Sequence, residues 1–318
     1  MINQKIYCIR LLPNSKEAGF CRPVSTAPLT VLVYFRVCRY HAPSSTAIAY
    51  RMHAMQKTTN APRRAQDARR AEPPLPPPNE KARALHAEII SRLKAMLAGG
   101  APSPLDPAFV QSYAAVLDLF ESFQKKIIAA SAYRVTCKKH CPLCCYHWVA
   151  DVYSFEAAII ADHINRHLPH KIPGLCAAMR EDAALLQTLD ELLDERVLKD
   201  AAPHTLESLD RDDMLLEGFY QLRRPCPLLD ERGACSIYPL RPMSCRSYIS
   251  FSDPLLCDPD TIYYREALTC LCTLEQDADL LLEELHGRYD QCDFDTSLRT
   301  LLPYYLEGFR DRILKRVI

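Results

Sequence analysis

Asn79-Glu-Lys-Ala-Arg-Ala-Leu85-His-Ala-Glu-Ile89-Ile-Ser-Arg-Leu93-Lys-Ala-Met96-Leu-Ala-Gly99-Gly100 is the stretch that decides the fold. Leu85, Ile89, Leu93 and Met96 recur at helical spacing, and the glycine pair ends the run where a left-handed cap is easiest to form. The same signature repeats downstream. Asp106 before Pro107 pairs an N-cap side chain with proline at the first helical position. Val110, Ala114, Leu117, Phe120 and Ile127 then carry a helix toward Ala130. Ser154 opens another, with Phe155, Ile159, Ile160 and Ile164 periodic. The stretches from Gly174 to Leu198 and from Thr205 to Leu222 read as helical. So does the C-terminal third from Ile262 to Ile318, with breaks expected near Asp293 and Pro303. The one hairpin signal is Cys226 to Tyr238, with Asp230-Glu231-Arg232-Gly233 as its turn. No alternating βα units and no internal repeat are visible. The expected fold is mostly α: a helical domain with one short β-hairpin beside a cysteine metal site.

Two parts are expected along the chain, residues 1–78 and residues 79–318. The first is basic, rich in Ser, Thr and Ala, and without sustained periodicity. It ends in a proline tract, Pro73, Pro74, Pro76, Pro77 and Pro78, that cannot continue a helix. It reads as disordered, or as a start assigned too early with translation beginning at Met52 or Met55; a transit peptide has a similar composition. Cys8, Cys21 and Cys38 lie there and are given no role.

The formal net charge of zero over 318 residues hides an asymmetry. Residues 1–70 carry 12 Lys+Arg against 2 Asp+Glu, which leaves 27 against 37 in the remainder. An acidic folded part is a poor surface for tracking phosphates, so no nucleic-acid partner is expected. No segment has the length of a bilayer span, so no membrane partner is expected either. Fifteen cysteines with only eight glycines, an odd count in a long helical chain, do not fit a small disulfide scaffold. Free thiols in a reducing, cytoplasmic setting fit better.

Four of those cysteines fall within nine residues: Cys137-Lys-Lys-His-Cys141-Pro-Leu-Cys144-Cys145. A structural cysteine is normally a single small hydrophobe, so core packing does not explain the group. Pro142 is expected to open a helical turn that carries Cys144 and Cys145, where unpaired N–H groups favour thiolates, with Lys138 and Lys139 adding positive potential. If the segment were helical throughout, Cys141 and Cys145 would share a face. The second group is Cys226, Cys235 and Cys245, at Cys-x8-Cys-x9-Cys spacing. A hairpin brings Cys226 toward Cys235, and prolines stiffen the return to Cys245. Arg241 and Arg246 bracket Cys245, either to neutralise a thiolate–metal site or to pair with surface acids. All seven thiols, Cys137, Cys141, Cys144, Cys145, Cys226, Cys235 and Cys245, are candidate ligands to iron, as single ions or as an iron–sulfur cluster, or to zinc.

Taken together, Cys-x3-Cys-x2-Cys-Cys followed by Cys-Pro-Leu-Leu-Asp…Gly-x-Cys-x-Ile-Tyr-x-x-Arg-Pro-x-x-Cys-Arg-x-Tyr resembles the YkgJ-like cysteine-cluster family over about Cys137 to Tyr248. The resemblance implies a zinc- or iron-chelating domain and leaves the reaction open. The helical insertion from Asp151 to Arg224 is long. A flagellin lysine methylase is similar in its cysteine cluster, so a cluster-dependent protein methylase is the alternative, and a helical interaction protein with structural zinc is a third reading. Cys137-x3-Cys141-x2-Cys144 also matches radical-SAM spacing, but the βα barrel that houses such sites has no counterpart in this pattern.

Weaker candidates complete the survey. His163 and His167, at i and i+4, read as a solvated pair rather than ligands. His140 and His147 flank the first cluster as supporting groups. Cys270 and Cys272 are expected to pack, Cys176 and Cys292 to be structural, and Cys257 is an additional ligand candidate. No phosphate-binding loop, dinucleotide fingerprint, nucleophile elbow or His-Glu-x-x-His is present.

Overall fold

The computed structural model describes residues 75–138, 140–199, 211–261, 267–290 and 296–313. The readings placed on residues 1–74, Lys139, 200–210, 262–266, Cys292 and Asp293 lie outside the described residues. Helix α1 spans Glu80–Gly99 and α2 spans Pro107–Ala129. Helices α3 (Ser154–His167), α4 (Ile172–Lys199) and α5 (Arg211–Gln221) follow. The short α6 (Met243–Ser247) runs directly into strand β1 (Tyr248–Ser250). Strand β2 (Thr269–Leu271), α7 (Gln276–Tyr289) and α8 (Leu298–Ile313) complete the order. The fold is mostly α with one short antiparallel pair, as the periodicity indicates.

Local chemistry accounts for the helix ends. Asn79 accepts from the Ala82 N–H at 2.9 Å, and Gly100 takes the left-handed conformation, φ 56°, that the end of α1 requires. Asp106 accepts from the Ala108 N–H at 2.9 Å ahead of Pro107. Each such cap is worth about 1 kcal/mol. The buried stripe of α2 is Phe109, Tyr113, Val116, Leu117, Phe120, Phe123 and Ile127, rotated from the expected one, since Ala114 faces outward and the larger aromatics claim the core. His86, not Leu85, lies on the fully buried face of α1.

Three apolar clusters build the interior. The first joins α1, α2 and α7 with Phe155, Met243, Ile249, Cys270 and Cys272. The second joins α3, the start of α4 and α8 with Cys226, Leu228 and Ile237. The third packs the second half of α4 against α5 around Trp148 and Phe219. Cys226 belongs to the second cluster with Cys145 and Cys235 packed against it, while Ile249 of β1 belongs to the first.

Two expectations change. The Cys226–Tyr238 hairpin is reduced to a tight turn closed by one antiparallel bridge, Leu229 with Cys235. Asp230 and its backbone take up the N–H groups of Arg232, Gly233 and Ala234, leaving a loop too short for a ladder. The regular strand pair is β1–β2, in register Ile249 opposite Cys270. Pro303 does not break α8 but lies inside it, its helix held by the burial of Leu301, Leu302, Tyr305 and Leu306.

Candidate metal centre

The two cysteine segments meet. The Cys226 N–H donates to the Cys145 carbonyl at 2.8 Å, although 81 positions separate them in the chain. Arg223 adopts φ 58° just beyond α5, which turns the chain back toward that contact. On the other side, the Thr136 N–H donates to the Ser250 carbonyl at 3.0 Å, so the segment carrying Cys137 lies beside β1.

Leu143–Tyr146 is a single 3-10 turn. Cys144 and Cys145 sit within it as expected, but the segment is not helical throughout: Cys141 precedes the turn, following His140 at φ 70°. The shared helical face expected of Cys141 and Cys145 therefore does not form. Within the turn the Cys145 thiol lies beside that of Cys144 and hydrogen-bonds to it.

Eight thiols surround this turn. Cys235 is held by its bridge to Leu229, and Cys245 by α6. Cys257, weighed in the sequence as an additional ligand, ends a second 3-10 turn, Pro254–Cys257, that packs on Leu143–Tyr146. Its Sγ donates to Ser250 Oγ at 3.3 Å, while the Ser250 N–H donates to Cys137 Sγ at 3.2 Å. All eleven described cysteines are free thiols. Cys176, Cys270 and Cys272 are buried in the apolar clusters, as expected of packing residues.

Burial dominates the electrostatics. It pushes the Cys226 thiol up to about 11, against an opposing pull from Arg299. It also raises Cys245, whose neighbours include Cys226, Cys144 and Cys235. Cys144 is the exception: a hydrogen bond from the Cys145 thiol lowers it, with Arg241 assisting against burial. Both arginines pair with Glu121, Arg241 at 3.7 Å. Arg246 turns away from the sulfurs, donating to the carbonyls of Arg241 at 3.0 Å and Pro239 at 2.7 Å and pairing with Glu121. It fixes the loop before Cys245. Arg241, stacked 4.5 Å from the Tyr238 ring centroid, favours the anionic forms of Cys144 and Cys235, and its buried Nε meets no acceptor among the described residues.

Burial also lowers His147, to about 4, and its ring stacks on Tyr220 at 4.1 Å and 10°. His140 is exposed. His163 and His167 lie 4.6 Å apart on α3, away from the sulfurs, as a surface pair.

The sulfurs form an open array rather than a closed tetrahedron. Among the described residues, the one group of three or more His, Cys, Asp or Glu donors lying within 4.8 Å of one another is His86, Glu275 and Asp277. There the buried His86 ring already accepts the Glu275 N–H through Nε2 at 3.3 Å, so it serves as a cap for α7. The donor set itself fits: several free thiols, a backbone N–H aimed at sulfur and a neighbouring guanidinium are what a thiolate–metal site needs.

Sequence reasoning missed Ser250, whose role depends on β1; it expected the two cysteine segments to meet, but not through the backbone contact of Cys226 with Cys145. Comparison with family models, with curated proteins and with solved structures finds no match for this chain.

Proposed function

We propose that this chain is a metal-binding protein that chelates iron, as an iron–sulfur cluster, or zinc through Cys137, Cys141, Cys144, Cys145, Cys226, Cys235 and Cys245. The observation that carries the reading is the clasp from the Cys226 N–H to the Cys145 carbonyl at 2.8 Å, which gathers two distant cysteine groups into one array of free thiols. Packing alone gives no reason to collect so many sulfurs at one seam. The likeness of both motifs to the YkgJ-like cluster supports the same chemistry. Burial keeps most of these thiols protonated, so uptake of metal releases protons and contributes directly to folding.

Thiolate sites of this kind persist where disulfides do not form, so we place the protein in the cytoplasm. No helix among the described residues is long and apolar enough to cross a membrane. Anaerobic purification followed by elemental analysis and an absorption spectrum tests the proposal. Bound iron with acid-labile sulfide identifies a cluster, and stoichiometric zinc with a colourless solution identifies zinc. Absence of both refutes the reading.

A further inference from the structure

The last turn of α3 carries two rings that the thiols do not use. His163 and His167 stand at i and i+4, where side chains of one helix lie one above the other. Their ring centroids are 4.6 Å apart and the planes are inclined at 44°. This is not the stack that His147 makes with Tyr220, at 4.1 Å and 10°. The neighbouring polar side chains are already engaged. Asp162 accepts from Arg166 Nε at 3.0 Å, and Asn165 Nδ2 donates to the Ala161 carbonyl at 2.9 Å. The two histidine rings face each other and, among the described residues, make no hydrogen bond or ion pair. His163 is half-buried and His167 exposed, so both are open to an ion from solution.

The spacing of the rings fits a shared ion. A divalent metal lies about 2.0–2.1 Å from an imidazole nitrogen, and so about 3.2 Å from the ring centroid. Two rings meeting at one ion at about 90–110° hold their centroids about 4.5–5.2 Å apart. The observed 4.6 Å falls within that interval. The place in the helix adds to the fit. Carbonyl groups make the C-terminus of a helix partially negative and favour a cation over its last turn. Helix α3 ends at His167.

We propose that His163 and His167 form a metal site separate from the thiols, a two-imidazole chelate for a divalent transition ion, with water completing the coordination. Imidazole suits zinc, copper and nickel, whereas thiolates select softer partners. The two sites therefore differ in preference, and nickel goes to the histidines. Either site can exist without the other.

Protection from acylation by diethyl pyrocarbonate, mapped on the full chain by peptide mass spectrometry, reads the site one residue at a time. A coordinated imidazole has no free lone pair on either nitrogen. Excess nickel chloride should therefore lower the labelling of His163 and of His167 by about tenfold or more, and a chelator should restore it. His170, exposed in the 3-10 turn Pro169–Lys171, is the internal reference and should label as before. In His167→Gln, nickel should no longer protect His163. Labelling unchanged by nickel, equal protection of His170, or protection of His163 that survives His167→Gln overturns the site. Far-UV circular dichroism checks that the variant, changed at an exposed position, keeps its helices. Were it to lose them, the contrast with His170 in the parent chain decides alone. The measurement is made at the histidines only, so its failure leaves the thiol centre standing.

Discussion

Arg299 on α8 donates through Nε to Asp182 Oδ2 on α4 at 2.9 Å, with both side chains almost wholly buried. The remaining guanidinium nitrogens reach the carbonyls of His147 at 2.9 Å and Arg224 at 3.0 Å, and the plane lies near the Trp148 and Phe219 rings. Asp182 also accepts from Arg224 Nε at 2.7 Å. One charge pair therefore ties two helices to both segments that flank the cysteine turn. Removing one partner leaves the other's buried charge only partly compensated. Asp182→Ala should cost about 3–5 kcal/mol. Arg299→Lys should recover little, because a point charge cannot meet three separate acceptors. Urea unfolding midpoints check both, and unchanged midpoints would show the pair to be dispensable.

Thiolate ligation can be told from cysteine packing by substitution. Cys145→Ser and Cys235→Ser should each lower bound metal sharply, since serine is a poor ligand for a soft metal. Cys176→Ser, in the apolar cluster of α3, α4 and α8, should leave metal content alone while lowering the melting temperature. Metal content that does not distinguish these variants would count against the site.

His286 supplies a pH-dependent cap. Its Nδ1 accepts the Ser154 N–H at 2.9 Å, at the start of α3, which requires the neutral ring. Burial lowers its pKa, opposed by Asp290 and Glu283, and Tyr153 lies alongside. A depressed value in the folded state means the contribution is complete above the ordinary histidine pKa of about 6.5 and is lost as pH falls below it. Wild-type stability should drop by on the order of 1 kcal/mol between pH 7.5 and 5.5 from this group. His286→Gln, an uncharged acceptor, should remove that part of the slope. Parallel pH profiles would refute the assignment.

Glu156 holds the base of α6. Buried on α3, it accepts from the Tyr113 hydroxyl at 2.5 Å, the Met243 N–H at 2.8 Å and the Tyr153 N–H at 3.2 Å. Met243 opens the helix that carries Cys245. Glu156→Ala leaves a buried hydroxyl and a buried N–H without acceptors, at a cost on the order of 3 kcal/mol. It should also weaken retention of metal against a chelator by about 10–100-fold, the effect of releasing a ligand's support. A loss of stability without any change in retention would confine Glu156 to the fold.

Leu75 packs against the first apolar cluster, and Arg83 Nη1 donates to the Pro78 carbonyl at 2.7 Å. A chain beginning at Leu75 should melt like the full chain, whereas one beginning at Asn79 should lose about 1 kcal/mol with the Leu75 contact. Equal melting of the two would show that contact to be idle.

Helical periodicity, the Asn79 and Asp106 caps and the proline and glycine punctuation are local signals, and they determined the mostly α class and the boundaries of α1, α2 and α4 from the sequence by itself. The spacing of Cys137, Cys141, Cys144, Cys145, Cys226, Cys235 and Cys245 within each segment is likewise a local property, legible in the sequence. What lay between segments was decided only in three dimensions. The buried stripe of α2 turned by a residue because Phe109, Tyr113 and Phe123 had partners on α3, α7 and α1 that no periodicity count contains. Arg299 stands between Leu298 and Thr300 with nothing local to mark it as buried, and its partner Asp182 lies 117 positions away. Ser250 gained its two sulfur contacts only once β1 paired with β2 and the chain on either side folded back to it. Sequence fixes which side chains can bind through the chemistry of their atoms. Which of them face one another depends on long-range packing between segments far apart in the chain.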